Sequence, residues 1–111
     1  MSKINSRRKG KVGELEAAKA MKDIIGIPCR RGQQFSGLEG DDIVGVDGCH
    51  IEVKRVEKFS LYGALHQAER DAKEDEVPVV LHRKNREEWV VVVKLKDFEK
   101  TAHRFVRSKG V

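Results

Sequence analysis

Asp41-Asp42-Ile43-Val44-Gly45-Val46-Asp47-Gly48-Cys49-His50-Ile51-Glu52-Val53-Lys54 is the stretch that decides the fold. Two apolar-rich runs, Asp42 to Val46 and Cys49 to Val56, flank an Asp-Gly turn signal, the pattern of a β-hairpin. His50, Glu52 and Lys54 are two residues apart, so they share one face of the second strand. Cys49, Ile51 and Val53 then point to the opposite, apolar side and belong to the core. A buried strand is normally apolar on both faces. A face carrying His, Glu and Lys inside a β-forming run is the departure expected at a functional site.

Loop length decides which aspartate joins them. If Asp47-Gly48 alone forms the turn, Asp42 pairs with Val53 and points away from Glu52, and Asp41 shares the polar face. If the loop is Val46-Asp47-Gly48, with Gly48 left-handed, Asp42 lies opposite Glu52. Gly48 stands where a left-handed residue is needed, which favours Asp42 and keeps Asp41 in reserve. Two carboxylates and a lysine at one point are the parts of a Mg²⁺-dependent phosphodiester hydrolase. Asp42, Glu52 and the Val53 carbonyl would hold the ion, with Mn²⁺ expected to substitute. Lys54 would orient the attacking water or stabilise the charge developing on phosphorus.

Outward from the hairpin, apolar residues at Val12, Leu15, Ala18, Met21 and Ile25 predict a helix from about Lys11 to Ile25. Gly26 and Pro28 stop it. Residues 1–9 are polar and basic and read as a flexible arm. Ile27 to Arg31 reads as a short edge strand and Gly32 to Gly40 as a loop. Ser60 can cap a second helix with Leu61, Leu65, Ala68 and Ala72 on one face. Val77 to Leu81 and Glu88 to Leu95 predict a second antiparallel pair across a charged turn, and Lys96 to Phe105 a terminal helix. The order α-β-β-β-α-β-β implies a mixed central sheet flanked by helices, an α/β fold, with residues 10–111 as one domain.

The chain has 111 residues and is 39% hydrophobic, which is too apolar for disorder. A net charge of +5 favours a polyanionic partner, nucleic acid first. Cys29 and Cys49 form no Cys-x-x-Cys pair, and with four scattered histidines they give no zinc spacing. A reduced, cytoplasmic setting is expected, with Cys49 a buried free thiol, and no apolar run has the length of a membrane span.

Arg8-Lys9-Gly10-Lys11-Val12-Gly13-Glu14-Leu15-Glu16 resembles the opening of the archaeal-type Holliday junction resolvases, members of the PD-(D/E)XK nuclease superfamily. Cys29-Arg30-Arg31, Asp42-Ile43-Val44, Ile51-Glu52-Val53-Lys54, Val77 to Leu81 and Trp89 to Val93 follow in the family's order. The resemblance implies a restriction-endonuclease-like fold. It makes Glu14, on the first helix, the residue that completes the metal site, with Glu16 its rival. It also implies a homodimer that cuts branched or four-way DNA to leave a 5′-phosphate and a 3′-hydroxyl. In some nucleases of the superfamily a glutamine on the second helix reaches the site, which singles out Gln67. Arg7, Arg8, Lys9, Lys11, Arg30 and Arg31 would grip phosphates, and Ser36 loosely matches a functional loop hydroxyl. His50 lies near the site. Asp41 replaces the proline that precedes the motif aspartate, and the hairpin is shorter than in typical resolvases. Such an enzyme would work at the nucleoid. Two alternatives remain: a flap, nicking or repair nuclease of a phage or mobile element, and a catalytically silent DNA-binding module.

Overall fold

The computed structural model describes residues 3–32 and 41–110, with side chains from residue 10 onward. Its elements are α1 (Lys3–Ala20), β1 (Arg30–Arg31), β2 (Ile43–Val44), β3 (Cys49–Arg55), α2 (Leu61–Asp71), β4 (Val77–Arg83), β5 (Val90–Val92) and α3 (Phe98–Arg107). A π-helical turn, Met21–Ile25, extends α1, and a 3₁₀ turn, Leu95–Asp97, leads into α3. This is the predicted order, including the final helix.

One five-stranded sheet runs β1-β2-β3-β4-β5. β1, β2 and β3 are antiparallel, β3 and β4 are parallel, and β4 and β5 are antiparallel. The parallel step needs a crossover, and α2 provides it. α2 covers one face with Ala64, Leu65 and Ala68 against Val80, Phe59 and Val92. On the other face Ala17 and Ala18 of α1, Met21 of the π-helical turn and Phe105 of α3 meet Ile43, Cys49, Ile51, Val79 and Leu81. The alternation on β3 follows: odd residues enter the α1/α3 core and even residues face α2. No helix among the described residues is long and apolar enough to cross a membrane.

Several expectations need correction. The first helix starts at Lys3, so residues 3–9 of the expected arm are helical. No proline interrupts them, and Lys and Arg propagate a helix well. The buried stripe of α1 and its π-helical turn is also rotated: Gly13, Ala17, Ala18 and Met21 face the sheet, whereas Val12 and Leu15 are exposed. Small residues at 13 and 17 let the helix backbone come close to β3. A Cβ on Gly13 would stand 2.7 Å from Cβ of Arg55. β1 holds only Arg30 and Arg31, because Pro28 has no amide hydrogen and the Cys29 amide turns back to the Ile27 carbonyl at 2.8 Å. β5 ends at Val92, since Leu95 already enters the turn into α3. Ser60 occupies the N-cap of α2, but its hydroxyl makes no capping bond and lies over Gly63. Gly26 does close the first helix as expected, left-handed at φ 86° with its amide on Lys22 and Met21 carbonyls.

Ionic contacts fix α1 from the side. The Glu16 carboxylate accepts from Arg55 at the end of β3 and from Arg83 at the end of β4. Arg55 also reaches Glu57 at 3.3 Å and Asn85 at 2.8 Å. Each such part-exposed pair contributes about 1 kcal/mol or less, so apolar burial holds the layers together and the ion pairs set their alignment.

The two glycines of α1 should respond oppositely to alanine. Nothing lies within 4 Å of a Cβ at Gly10, so Gly10→Ala should stabilise the chain by about 0.5–1 kcal/mol through helix propensity. Gly13→Ala should instead destabilise it by about 1–3 kcal/mol, because overpacking against Arg55 outweighs the same gain. Urea unfolding of both variants checks this; a stabilised Gly13→Ala would contradict the close packing.

Candidate active site

The hairpin register places the carboxylates. Ile43 pairs with Ile51, which puts Asp42 opposite Glu52 and leaves Val46-Asp47-Gly48 as the loop. Gly48 is left-handed at φ 81°. Asp42 is tied at two points: its amide donates to the Ile51 carbonyl at 3.0 Å, and its Oδ2 accepts from the Val53 amide at 2.8 Å.

Asp42 and Glu52 are close enough for their carboxyls to share a hydrogen bond. Burial is the largest influence on Asp42. The Val53 amide works against it, whereas the charges of Glu52 and Glu14 and the bond to Glu52 act with it. The net effect pushes Asp42 up to about 7. A buried acid that resists ionisation beside other acids lacks a counter-charge.

Glu52 is 4% exposed and His50 is 1% exposed. Nε2 of His50 lies 2.7 Å from Oε1 of Glu52, and Nδ1 meets Asp41. Burial alone would lower the pKa of His50. Hydrogen bonds to Asp41 and Glu52, and their charges, outweigh that and raise it to about 10. The ring is therefore an imidazolium at neutral pH, donating from both nitrogens.

Among the described residues, two groups of potential ligand atoms each lie within 4.8 Å of one another: Asp41, His50 and Glu76, and His50, Glu52 and Asp71. Both depend on His50, whose nitrogens are already committed to carboxylates, so neither offers a free imidazole lone pair. Asp71 and Glu76 were not anticipated. Asp71 stands four residues after Gln67 on α2, so their shared helix face was a usable signal; Glu76, in a loop, had none.

The Lys54 ammonium donates to Oε1 of Gln67 at 2.7 Å. The glutamine singled out on the second helix thus reaches the E-x-K strand. Nδ1 of His82 donates to the Lys54 carbonyl at 2.8 Å, and its ring stacks on Phe59 with centroids 3.8 Å apart. These contacts fix both ends of Lys54.

Glu14 comes close enough to act on the charge of Asp42, yet its Oε1 accepts from Nε of Arg31 at 2.6 Å. Of the three expected carboxylate ligands, Glu52 alone belongs to a tight group; Asp42 and Glu14 belong to neither. Among the basic residues expected to meet phosphate, Lys11 and Arg30 are exposed and Arg31 is engaged with Glu14. Ser36, and the side chains of Arg7, Arg8 and Lys9, lie outside the described residues. Cys49 is a buried free thiol, pushed up to about 11 by burial.

Asp42, Glu52 and nearby Glu14 offer only hard oxygen donors; Glu52 pairs with His50 and Glu14 with Arg31, whereas among the described residues Asp42 has no ion pair. That donor set fits a divalent cation of the Mg²⁺ type. A family model described as "Phage putative PDDEXK endonuclease" matches residues 5–109. No curated protein and no solved structure shows significant similarity to the chain.

The raised Asp42 carboxyl makes a pH prediction. Its folded pKa of about 7 exceeds the ordinary 3.8, so the folded chain binds this proton more tightly than the unfolded chain. Its stabilising effect is present at low pH and is lost as pH rises from about 4 to about 7. In EDTA, Asp42→Asn should therefore gain stability relative to wild type across that window. The gap should widen to about 1–3 kcal/mol and then level off. Chemical denaturation across the pH range measures it, and a gap that does not vary with pH would contradict the assignment.

Proposed function

The chain belongs to the phage PDDEXK endonuclease family, and from that premise we propose that it is a divalent-cation-dependent endodeoxyribonuclease. The observation that carries the reading is Asp42 opposite Glu52, with Lys54 two residues further along the same strand face. Asp42, Glu52 and the Val53 carbonyl would hold the cation, and Glu14 would complete the ligand set from α1. A bound cation would polarise the scissile phosphate and lower the pKa of a nearby water.

The chain's own residues do the rest. The Val53 amide fixes one oxygen of Asp42 and leaves the other to face the site. The His50 imidazolium holds one oxygen of Glu52. Gln67 steers the Lys54 ammonium, which orients the attacking water and offsets the charge developing on the phosphorane. Lys11 and Arg30, with the basic residues 7–9, approach the DNA backbone without reading its sequence.

A finer reading follows the resemblance of the Arg8–Glu16 segment: a homodimer that nicks branched DNA, four-way junctions included. The exposed Val90 and Val91 of β5 are compatible with such an interface. The phage family supports a phage nuclease of other specificity equally well.

Cleavage of supercoiled plasmid and of synthetic linear, flapped and four-way substrates in Mg²⁺ or Mn²⁺ tests the proposal. Wild type should leave 5′-phosphate and 3′-hydroxyl ends. Asp42→Ala, Glu52→Ala and Lys54→Ala should each reduce cleavage by about 100-fold or more while DNA binding persists. Paired symmetric nicks on the junction with linear duplex spared would favour the resolvase reading. Binding without cleavage by wild type would overturn the nuclease, and full activity in either carboxylate variant would overturn the site.

A further inference from the structure

We propose that Glu16 is a positioning residue whose two-arginine clamp sets the roll of α1, and so delivers Glu14 to the site. The inference rests on the nuclease reading above and deepens it. Glu14 and Glu16 are rivals by sequence, both acidic and two apart, and the structure separates them by partner. Glu14 pairs with Arg31, which lies opposite Ile43 beside Asp42 in the sheet, whereas Glu16 is held by Arg55 and Arg83.

The helix geometry explains the division. The line of closest approach to β3 runs through Gly13 and Ala17, both buried. At 100° per residue, Glu14 and Glu16 stand about 80° to either side of that line. Gly13 brings the backbone down onto Arg55, but a contact made by a residue without a side chain resists rotation weakly. Glu16 supplies what is missing on one flank. Its carboxylate reaches the ends of both central strands, and Arg55 is itself braced by Glu57 and Asn85. The Asn85 amide also donates to the same Glu57 carboxylate at 2.9 Å. Arg55 lies on the same strand as Glu52 and Lys54, so the clamp refers α1 directly to the strand that carries the site.

Glu16, Arg55 and Arg83 are not among the residues placed at the site above. The clamp's effect must pass through Glu14, and this separates positioning from general stability. Glu16→Gln keeps the size and removes the charge that gathers both arginines. It should raise the Mn²⁺ concentration for half-maximal plasmid cleavage about 10-fold, with the circular-dichroism spectrum unchanged. It should weaken direct Mn²⁺ binding, read by electron paramagnetic resonance, in the same proportion. Arg83→Gln should act the same way, and stands in if Glu16→Gln does not fold.

The deciding comparison is the cycle with Glu14→Gln. A residue that acts only through Glu14 has nothing left to lose once Glu14 is neutral. The double variant Glu14→Gln/Glu16→Gln should therefore match Glu14→Gln alone in rate and Mn²⁺ requirement. Wild-type behaviour of both Glu16→Gln and Arg83→Gln, or losses that multiply in the double variant, would overturn the clamp and leave the nuclease intact. Wild-type behaviour of Glu14→Gln would overturn it as well, by removing its target. A wild type that neither cleaves DNA nor binds Mn²⁺ would overturn the nuclease reading itself.

Discussion

The register of β2 against β3 is the constraint on which the site depends. A strand has a period of two, so a slip of one residue turns every side chain to the other face. With Ile43 opposite Ile51, both isoleucines enter the α1/α3 core while Asp42 and Glu52 meet on the α2 side. A one-residue slip would bury a carboxylate among Ala17, Met21 and Val79 and withdraw an isoleucine from the core. Apolar burial on one face thus enforces carboxylate convergence on the other. Gly48 makes the loop length possible, and the bond from the Val53 amide to Asp42 secures it next to the site.

That convergence is electrostatically costly, and the surroundings distribute the cost. Glu52 and Asp41 share the His50 imidazolium, whereas Asp42 has only a backbone amide and holds its proton up to about 7. Among the described residues no buried side-chain nitrogen or oxygen lacks a hydrogen-bond partner. The site is therefore self-consistent, and Asp42, which has no ion pair among the described residues, is where the proposed cation would sit. α2 contributes from across the sheet face, with Gln67 on Lys54 and Asp71 near Glu52, and α1 contributes from the open end of the hairpin. A nuclease of the PDDEXK type draws on such elements because hydrolysis of a phosphodiester is chiefly a problem of placing charge.

The hairpin was legible because its signals are local: alternation, an Asp-Gly turn and a polar face in a β-forming run. Those same signals gave a three-residue loop with Asp42 opposite Glu52, and the observed register has both. The second helix was legible too, and with it the reach of Gln67. Cross-element pairing was not. Nothing in sequence marks Arg31 as the partner of Glu14, or Arg55 and Arg83 as partners of Glu16, because those contacts join residues 17 to 67 positions apart. The buried face of α1 was misread for a related reason. Counting apolar residues selected Val12 and Leu15, whereas close approach to β3 selected Gly13 and Ala17, where smallness matters more than hydropathy. The basic segment before Gly10 was assigned to an arm on composition, although charge does not prevent helix formation there.

The central claim is that Asp42 and Glu52 form one wall of a divalent-cation site with Glu14 opposite. Crystals of the full chain soaked in Mn²⁺ and measured at the manganese absorption edge address it most directly. The account predicts an anomalous peak in contact with carboxylate oxygens of both Asp42 and Glu52, with Glu14 turned from Arg31 toward the ion. A peak elsewhere, or none beside an ordered Asp42–Glu52 pair, would contradict it.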